Sequence, residues 1–216
     1  HIERTRLLRQ GWTLSEVTRY MCGKLGVKPA LAPMSDGPVR TMVETDQGTL
    51  AFQDYFVKRR CEPSLRGVRF QGATEAQASP AFRQALNAAE AVVYCPSNPV
   101  VSIGPILALP GVREQLEAFR GPRVAVSPIV GEQALRGPAA KMLLELGEEV
   151  SCVGVARRLA GICDVLVVDR QDARRVADVR ATGVDAVALD TIMESDADKK
   201  RLAQEVLQIV QERLKA

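Results

Sequence analysis

Two short apolar runs, Ala91 to Tyr94 and Val124 to Val126, each empty directly into a loop of Ser, Asn, Gly and Pro, and this arrangement constrains the fold more than any other feature. The first loop reads Cys95-Pro96-Ser97-Asn98-Pro99, with Ser102-Ile103-Gly104-Pro105 close behind; the second runs from Ser127-Pro128 through Gly131 to Gly137-Pro138. Strands buried on both faces of a parallel sheet read as near-continuous apolar runs of this kind. In open α/β sheets the ligand sits beyond the carboxyl ends of such strands, so the chemistry is expected in these two loops.

The rest of the pattern supports the same architecture. Strands are expected over 123–127, 164–168 and 184–189, and helices near 111–119, 138–146 and 153–160, so strand and helix alternate through the second half. Ser79-Pro80 opens a helix to 90 by N-cap and N1 preferences, and the pairs Thr13/Glu16 and Ser195/Asp198 are capping boxes that start two more. The last of these carries Leu202, Val206, Ile209 and Val210 on one face, which should pack on the sheet. Upstream, the spacing predicts a helix over 2–10, a strand over 28–32, a hairpin with arms 39–45 and 49–56, and a short strand over 68–71. The expectation is one Rossmann-like α/β domain: a doubly wound, mostly parallel sheet with a nucleotide-binding core over 91–216 and a small antiparallel insertion over 28–71.

Composition removes several function classes. The net charge of +3 comes from 29 basic and 26 acidic residues spread along the chain, which is no electrostatic footprint for nucleic acid. No apolar run is long enough to span a bilayer and the amino end is no secretory signal, so a cytoplasmic protein is expected. The five cysteines, odd in number and without CxxC spacing, signal neither a disulfide framework nor a zinc site. The single histidine is His1, which argues against a Ser-His-Asp triad, a Cys-His pair and a multi-histidine metal site. Carboxylates, oxygen-bound metal and positioning remain. The chain starts without Met inside a helical pattern, and the expectation is the carboxyl part of a longer protein.

Within the loops, Ser97, Asn98, Ser102 and Gly104 offer a hydroxyl, amide and backbone N–H set of the kind that holds phosphates; the plain alternative is a set of turns. Gly137-Pro138-Ala139-Ala140-Lys141 reads as a helix start open to a ligand, with Lys141 either meeting a phosphate or solvated. Asp36, in a Pro-flanked loop, either orients a hydroxyl or a metal or caps nearby N–H groups. Gln53, Asp54 and Tyr55 either line the same cleft or face water, and Asp164 and Asp169 bracket a strand. Trp12 reads as a packing anchor, and Arg157-Arg158 and Arg174-Arg175 as solvated helix faces.

Taken in order, Pro33-Met-Ser-Asp-Gly-Pro-Val39, Phe52-Gln-Asp-Tyr-Phe56, Pro96-Ser-Asn-Pro99, Ser102-Ile-Gly-Pro-Ile106, Val126-Ser-Pro-Ile129 and Gly137-Pro-Ala139 closely resemble the 2-phospho-L-lactate transferase family, CofD. Thr5-Arg-Leu-Leu-Arg9 and Leu14-Ser-Glu-Val-Thr18 resemble it too, so the likeness covers essentially the whole chain. The resemblance implies a step in the biosynthesis of the deazaflavin coenzyme F-420. There a guanosine diphosphate ester of 2-phospholactate, or of phosphoenolpyruvate, gives its phospho-acid group to the ribityl hydroxyl of 7,8-didemethyl-8-hydroxy-5-deazariboflavin (Fo). GMP leaves and Mg2+ assists.

Carried over by this resemblance, Ser97, Asn98, Ser102 and Gly104 hold the guanosine diphosphate part, and Ser127, Gly137 and Lys141 stand on the phosphate side. Met34, Ser35 and Asp36 line the Fo side, with Asp36 orienting the attacking hydroxyl. The family's Gly-Gly-Thr-Gly loop and the Asp-rich segment expected to hold Mg2+ do not occur, so these residues alone are expected to be inactive; Gly37 stands where the family commonly has a second Asp, which weakens a catalytic assignment at the neighbouring position. The competing reading is a non-catalytic, nucleotide-sugar-binding regulatory protein of the same superfamily. Fo and the guanylated acid are the expected partners, with a homodimer left open.

Overall fold

The computed structural model describes residues 1–134 and 137–215, so part of the second loop falls outside the described residues. The chain opens with helices α1 (Ile2–Arg9) and α2 (Leu14–Lys24). The second starts at its capping box: Thr13 Oγ1 accepts from Glu16 N at 3.2 Å and the Glu16 carboxylate accepts from Thr13 N at 2.7 Å. Two N–H groups that the helix itself leaves orphaned are thereby satisfied. Trp12 packs edge-to-face on Tyr20, with centroids 5.8 Å apart.

The strand expected over 28–32 is not formed. Pro29 and Pro33 bracket that stretch without N–H donors to give a ladder, and only Ser35 makes an isolated bridge, to Ala78. An antiparallel sheet follows, β1 (Arg40–Thr45), β2 (Gly48–Ala51) and β3 (Leu65–Gln71), in the order β2-β1-β3. Its hairpin turns at the expected place, but the second arm stops at Ala51 rather than 56. The next residues wind into a helical turn whose wide, π-type part spans Asp54–Lys58. A strand would set positions 53 and 55 against 52, 54 and 56. The helix instead drives Tyr55 fully into the core and leaves Phe56 39% exposed. Burial of a whole tyrosine ring outweighs the strand propensity of the segment.

Helix α3 (Pro80–Ala88) begins, as its sequence requires, with the Ser79 hydroxyl accepting from Phe82 N and Pro80 in the first turn. Beyond it lies the organising sheet, β4 (Val92–Tyr94) and β5 (Arg123–Val126), then a two-residue antiparallel pair, β6 (Ile129–Val130) and β7 (Gln133–Ala134), and then β8 (Val165–Asp169) and β9 (Asp185–Leu189). The four long-range strands pair in parallel in the order β4-β5-β8-β9. Between β4 and β5 the chain forms a π-type turn (Pro99–Ile103), α4 (Gly104–Leu107) and α5 (Val112–Glu117). Only the last was expected, because Pro99, Gly104 and Pro105 read as loop punctuation when they are in fact first-turn residues. Next come α6 (Ala139–Glu145) and α7 (Cys152–Leu159), then a 3-10 turn (Arg170–Arg175) with α8 (Val176–Arg180), and finally α9 (Asp196–Lys215).

Alternation along β5 and β8 divides the core in two. Ala125, Leu166 and Val168 join the crossover helices and the antiparallel sheet on one face. Val124, Val126, Val165 and Val167 face Leu202, Val206 and Val210 of α9 on the other. Every residue of β8 is buried, so this sheet carries a helical layer on each side, as expected. At its amino-terminal rim Arg123 reaches both Asp164 oxygens, at 2.6 and 3.0 Å, and donates to the Leu116 and Gly161 carbonyls. Burial raises the Asp164 carboxyl, but the bonds from Arg123 outweigh it and hold the group below the usual range. Arg175 is likewise no solvated residue: Glu149 and Asp178 hold it at 2.5 and 2.7 Å.

A Cβ at Gly154, in the first turn of α7, falls 1.9 Å from the Glu149 carbonyl oxygen. Gly154→Ala is therefore expected to cost about 1–3 kcal/mol through overpacking. Gly23→Ala on α2, where nothing lies within 4 Å, should be neutral or stabilise by up to about 1 kcal/mol. Urea denaturation of both variants checks the pair; equal midpoints would contradict the close approach.

Candidate active site

The loops that leave the parallel strands open onto one cleft of about 560 Å³. Pro96, Ser97 and Asn98 reach it from β4, Ser127 and Pro128 from β5, and Thr191 and Met193 from β9. Val101 and Ser102 of the π-type turn, Gly137 and Ala139 ahead of and within α6, and Lys199 from the start of α9 complete the polar side. Phe52 and Phe56 form a wall from the antiparallel sheet. Of the residues singled out in the sequence, Ser97, Asn98, Ser102, Ser127 and Gly137 thus meet in one place.

Each loop is held by its own polar groups. Asn98 Oδ1 accepts from Val100 N at 2.9 Å and Val101 N at 3.3 Å, capping the turn that begins at Pro99. Its Nδ2 points at Met142 Sδ, 3.5 Å away. Ser127 is buried, and its hydroxyl accepts from Ile129 N and donates to Ile129 O. Gly137 stands at φ 72°, a conformation that side chains rarely adopt. The deepest support is Asp169 at the end of β8, 2% exposed. One oxygen accepts from Gln171 N at 2.9 Å; the other accepts from Thr191 N at 2.9 Å and Thr191 Oγ1 at 3.0 Å. Burial raises this carboxyl, and the bonds from Gln171 and Thr191 more than offset it, leaving it below 3.8. One ionised side chain thereby ties the β8 and β9 exits together and fixes Thr191 in the cleft.

The other sequence candidates lie elsewhere. Gly104 packs beneath Phe70, where a Cβ would come within 2.8 Å of the ring, so its small size serves a helix contact. Lys141 is bound to Glu145 at 2.6 Å and to the Pro63 carbonyl at 3.3 Å, while Glu145 also accepts from Leu65 N. This set straps the antiparallel sheet to α6. Asp36 accepts from Ser15 N at 2.7 Å and Ser15 Oγ at 3.0 Å, at the amino end of α2. Pro33, Met34 and Ser35 fasten the same loop to the start of α3: Met34 O accepts from Ser79 N, Pro33 O from the Ser79 hydroxyl, and Ser35 bridges Ala78. None of these residues lines the cleft.

Sequence reasoning missed Lys199, Thr191 and Met193, whose only signal was position after a strand and at the head of a capped helix. Phe52 and Phe56 belong to a motif that the sequence reads as a strand; in the helix they stand four apart with their rings stacked, 5.6 Å between centroids and 2° between planes. Lys199 is the only charged side chain among the described residues that line the cleft. The donors there are hydroxyls and an amide, without a carboxylate, and no group of three His, Cys, Asp or Glu is gathered among the described residues. That donor set does not fit a Mg2+ site of this chain's own making. No helix among the described residues is long and apolar enough to cross a membrane.

The model of the family described as 2-phospho-L-lactate transferase CofD matches residues 1–214. The chain belongs to the CofD family. Among its relatives, a protein of Methanosarcina mazei named 2-phospho-L-lactate transferase is 40% identical over 208 residues, which is 96% of this chain and 68% of that protein. One of Methanopyrus kandleri with the same name is 40% identical over 213 residues, 97% of this chain and 67% of that one. A Streptomyces griseus protein named phosphoenolpyruvate transferase is 39% identical over 217 residues, covering 98% and 68%. In fold, the CofD chain resembles the crystal structure of a Bacillus halodurans protein, with TM-score 0.67 at 15% identity over 95% of this chain and 70% of that one.

Asp169→Asn replaces an acceptor by an amide that faces N–H donors, an expected loss of about 1–3 kcal/mol at neutral pH. Because the folded Asp169 titrates below its ordinary 3.8, the stability it contributes is complete above about pH 4 and is lost as pH falls through the folded value. Denaturation from pH 7 to 2 should show that acid loss in the wild type and a smaller one in Asp169→Asn; identical slopes would contradict it.

Proposed function

We infer that the full protein transfers a phospho-acid group from its guanosine diphosphate ester, of 2-phospholactate or of phosphoenolpyruvate, to the ribityl hydroxyl of Fo, releasing GMP. The observation that carries this reading is the family match over residues 1–214, joined to relatives named for both transfers. The chemistry suits the cleft. Displacement at phosphorus requires in-line positioning and neutralisation of charge more than it requires a nucleophile or base from the protein. A rim of hydroxyls and capped turns, with one cation among its described residues, is suited to positioning.

In this reading Ser97, Asn98, Ser102, Ser127 and Gly137 stand around the guanylated diphosphate, where a nucleotide lies in an open α/β sheet. Asn98 acts mainly by fixing its loop, since Oδ1 is already committed to two backbone N–H groups. Lys199 takes the charge role that the sequence assigned to Lys141. Among the described residues its one ion-pair partner is Asp196, 97% exposed, a contact that water screens and that a phosphate outcompetes. Mg2+ belongs to the reading as a requirement of the reaction; these residues do not by themselves compose its site, and no step here is assigned to it.

Expressing the complete reading frame and incubating it with Fo, Mg2+ and either guanylated acid tests the reading by mass spectrometry. The expected products are the phospho-acid ester of Fo and GMP; nucleotide binding without any transfer would favour a regulator. Lys199→Ala is expected to weaken donor binding about fivefold, on the order of 1 kcal/mol, with the wild-type advantage shrinking as salt rises. A Lys141→Ala variant should lose stability instead, with donor affinity kept.

A further inference from the structure

We propose that Asp172, which does not line the cleft, is a positioning residue for the transfer: by gripping the tip of the β6–β7 hairpin it sets the place of Ser127 and Pro128, and through them the diphosphate of the donor. This rests on the transfer reading above. Ser127 and Pro128 lead from β5 into the hairpin, and both line the cleft. The join is direct, because the Ser127 hydroxyl bonds both the N–H and the carbonyl of Ile129, the first residue of β6. A shift of the hairpin therefore moves Ser127 with it. Left to itself the hairpin would not hold its shape. Its ladder consists of Ile129 paired with Ala134 and Val130 with Gln133, and even longer isolated hairpins are marginal in water. Its tip places Gly131 at φ 55° and Glu132 at φ 65°. A two-residue turn of this hand needs both angles positive, a conformation that disfavours a glutamate. Such strain persists where the surroundings impose it.

At the root it is imposed by packing, since Ile129 and Val130 are buried. At the tip it is imposed by Asp172, whose two carboxylate oxygens accept from Gly131 N at 3.0 and 3.2 Å. Asp172 is 7% exposed, and burying an anion against one N–H is a poor source of stability. What the contact supplies is a defined position. The topology says for what: β8 lies between β5 and β9, and the 3-10 turn at its exit follows Asp169 and contains Asp172, three residues apart and so on one side of the turn. Asp169 reaches the β9 exit at Thr191, and Asp172 reaches the loop that leaves β5 at Gly131. From the exit of the middle strand one carboxylate thus registers the loop on each side, and Ser127 and Thr191 stand in the cleft at a fixed spacing. In-line displacement is sensitive to such spacing.

GDP, which carries the donor's diphosphate without the group to be transferred, is the probe. Calorimetric titration of the complete protein, well below its melting temperature, is expected to show GDP bound about tenfold more weakly by Asp172→Ala than by wild type, or about 1.4 kcal/mol. Asp172→Asn should stay within about threefold, because one amide oxygen suffices for the Gly131 N–H. Fo affinity, read by its own fluorescence, should stay within about twofold in both. Asp172→Ser, too short to reach Gly131, takes the place of the Ala variant if that one does not fold. A purely structural role lowers the melting temperature and leaves the affinity of the folded protein unmoved. Unchanged GDP binding in a folded Ala or Ser variant would therefore overturn the inference while leaving the transfer reading standing. Equal losses for GDP and Fo would overturn it as well, as a general loosening of the cleft. A wild-type protein that binds no GDP would remove the transfer reading and this inference together, a result visible before any variant is made.

Discussion

Burial of β5 and β8 on both faces is the constraint on which the rest of this molecule depends. Val124, Val126, Val165 and Val167 close against α9, and Ala125, Leu166 and Val168 against the crossover side, so neither strand can shift by one residue without exchanging its two cores. Parallel pairing then sends every strand out at the same rim. The polar loops are gathered there by necessity, and what distinguishes the site is the way they are fixed.

That fixing is done by self-capping turns and by one carboxylate. Asn98 and Ser127 spend their acceptors on their own loops, and Asp169 binds the exits of β8 and β9 to each other. The result is a cleft whose described residues have little left for acid–base chemistry and include one cation, Lys199. Such a site is suited to holding two substrates in line, the part of catalysis that position alone supplies. Its walls come from two sheets, and the Lys141–Glu145 pair bonds to Pro63 and Leu65 beside the antiparallel sheet in a place where the sequence suggested a phosphate ligand.

Legibility in the sequence followed locality. Capping boxes at Thr13 and Ser195, the Ser79-Pro80 helix start and the apolar parallel strands are decided by neighbours in the chain, and each formed as read. The turn at 52–58 was not legible, because its helical form is decided by the cavity that receives Tyr55, far away in sequence. The strand expected over 28–32 failed for want of a partner ladder. For the site, the strand-end loops were visible as composition, while Asp36, Gly104 and Lys141 have identities suited to ligands but partners reachable only in three dimensions: Ser15, Phe70 and Pro63.

In the transfer reading the guanylated donor lies at the common rim of β4, β5, β8 and β9. A crystal structure of the complete protein with the donor bound tests this most directly. The diphosphate is expected within hydrogen-bond reach of the Ser97–Ser102 and Ser127 turns, with Lys199 turned toward it and away from Asp196. A nucleotide seated outside that cleft, against α1 and α2 or along the outer edge of β4, would contradict that placement.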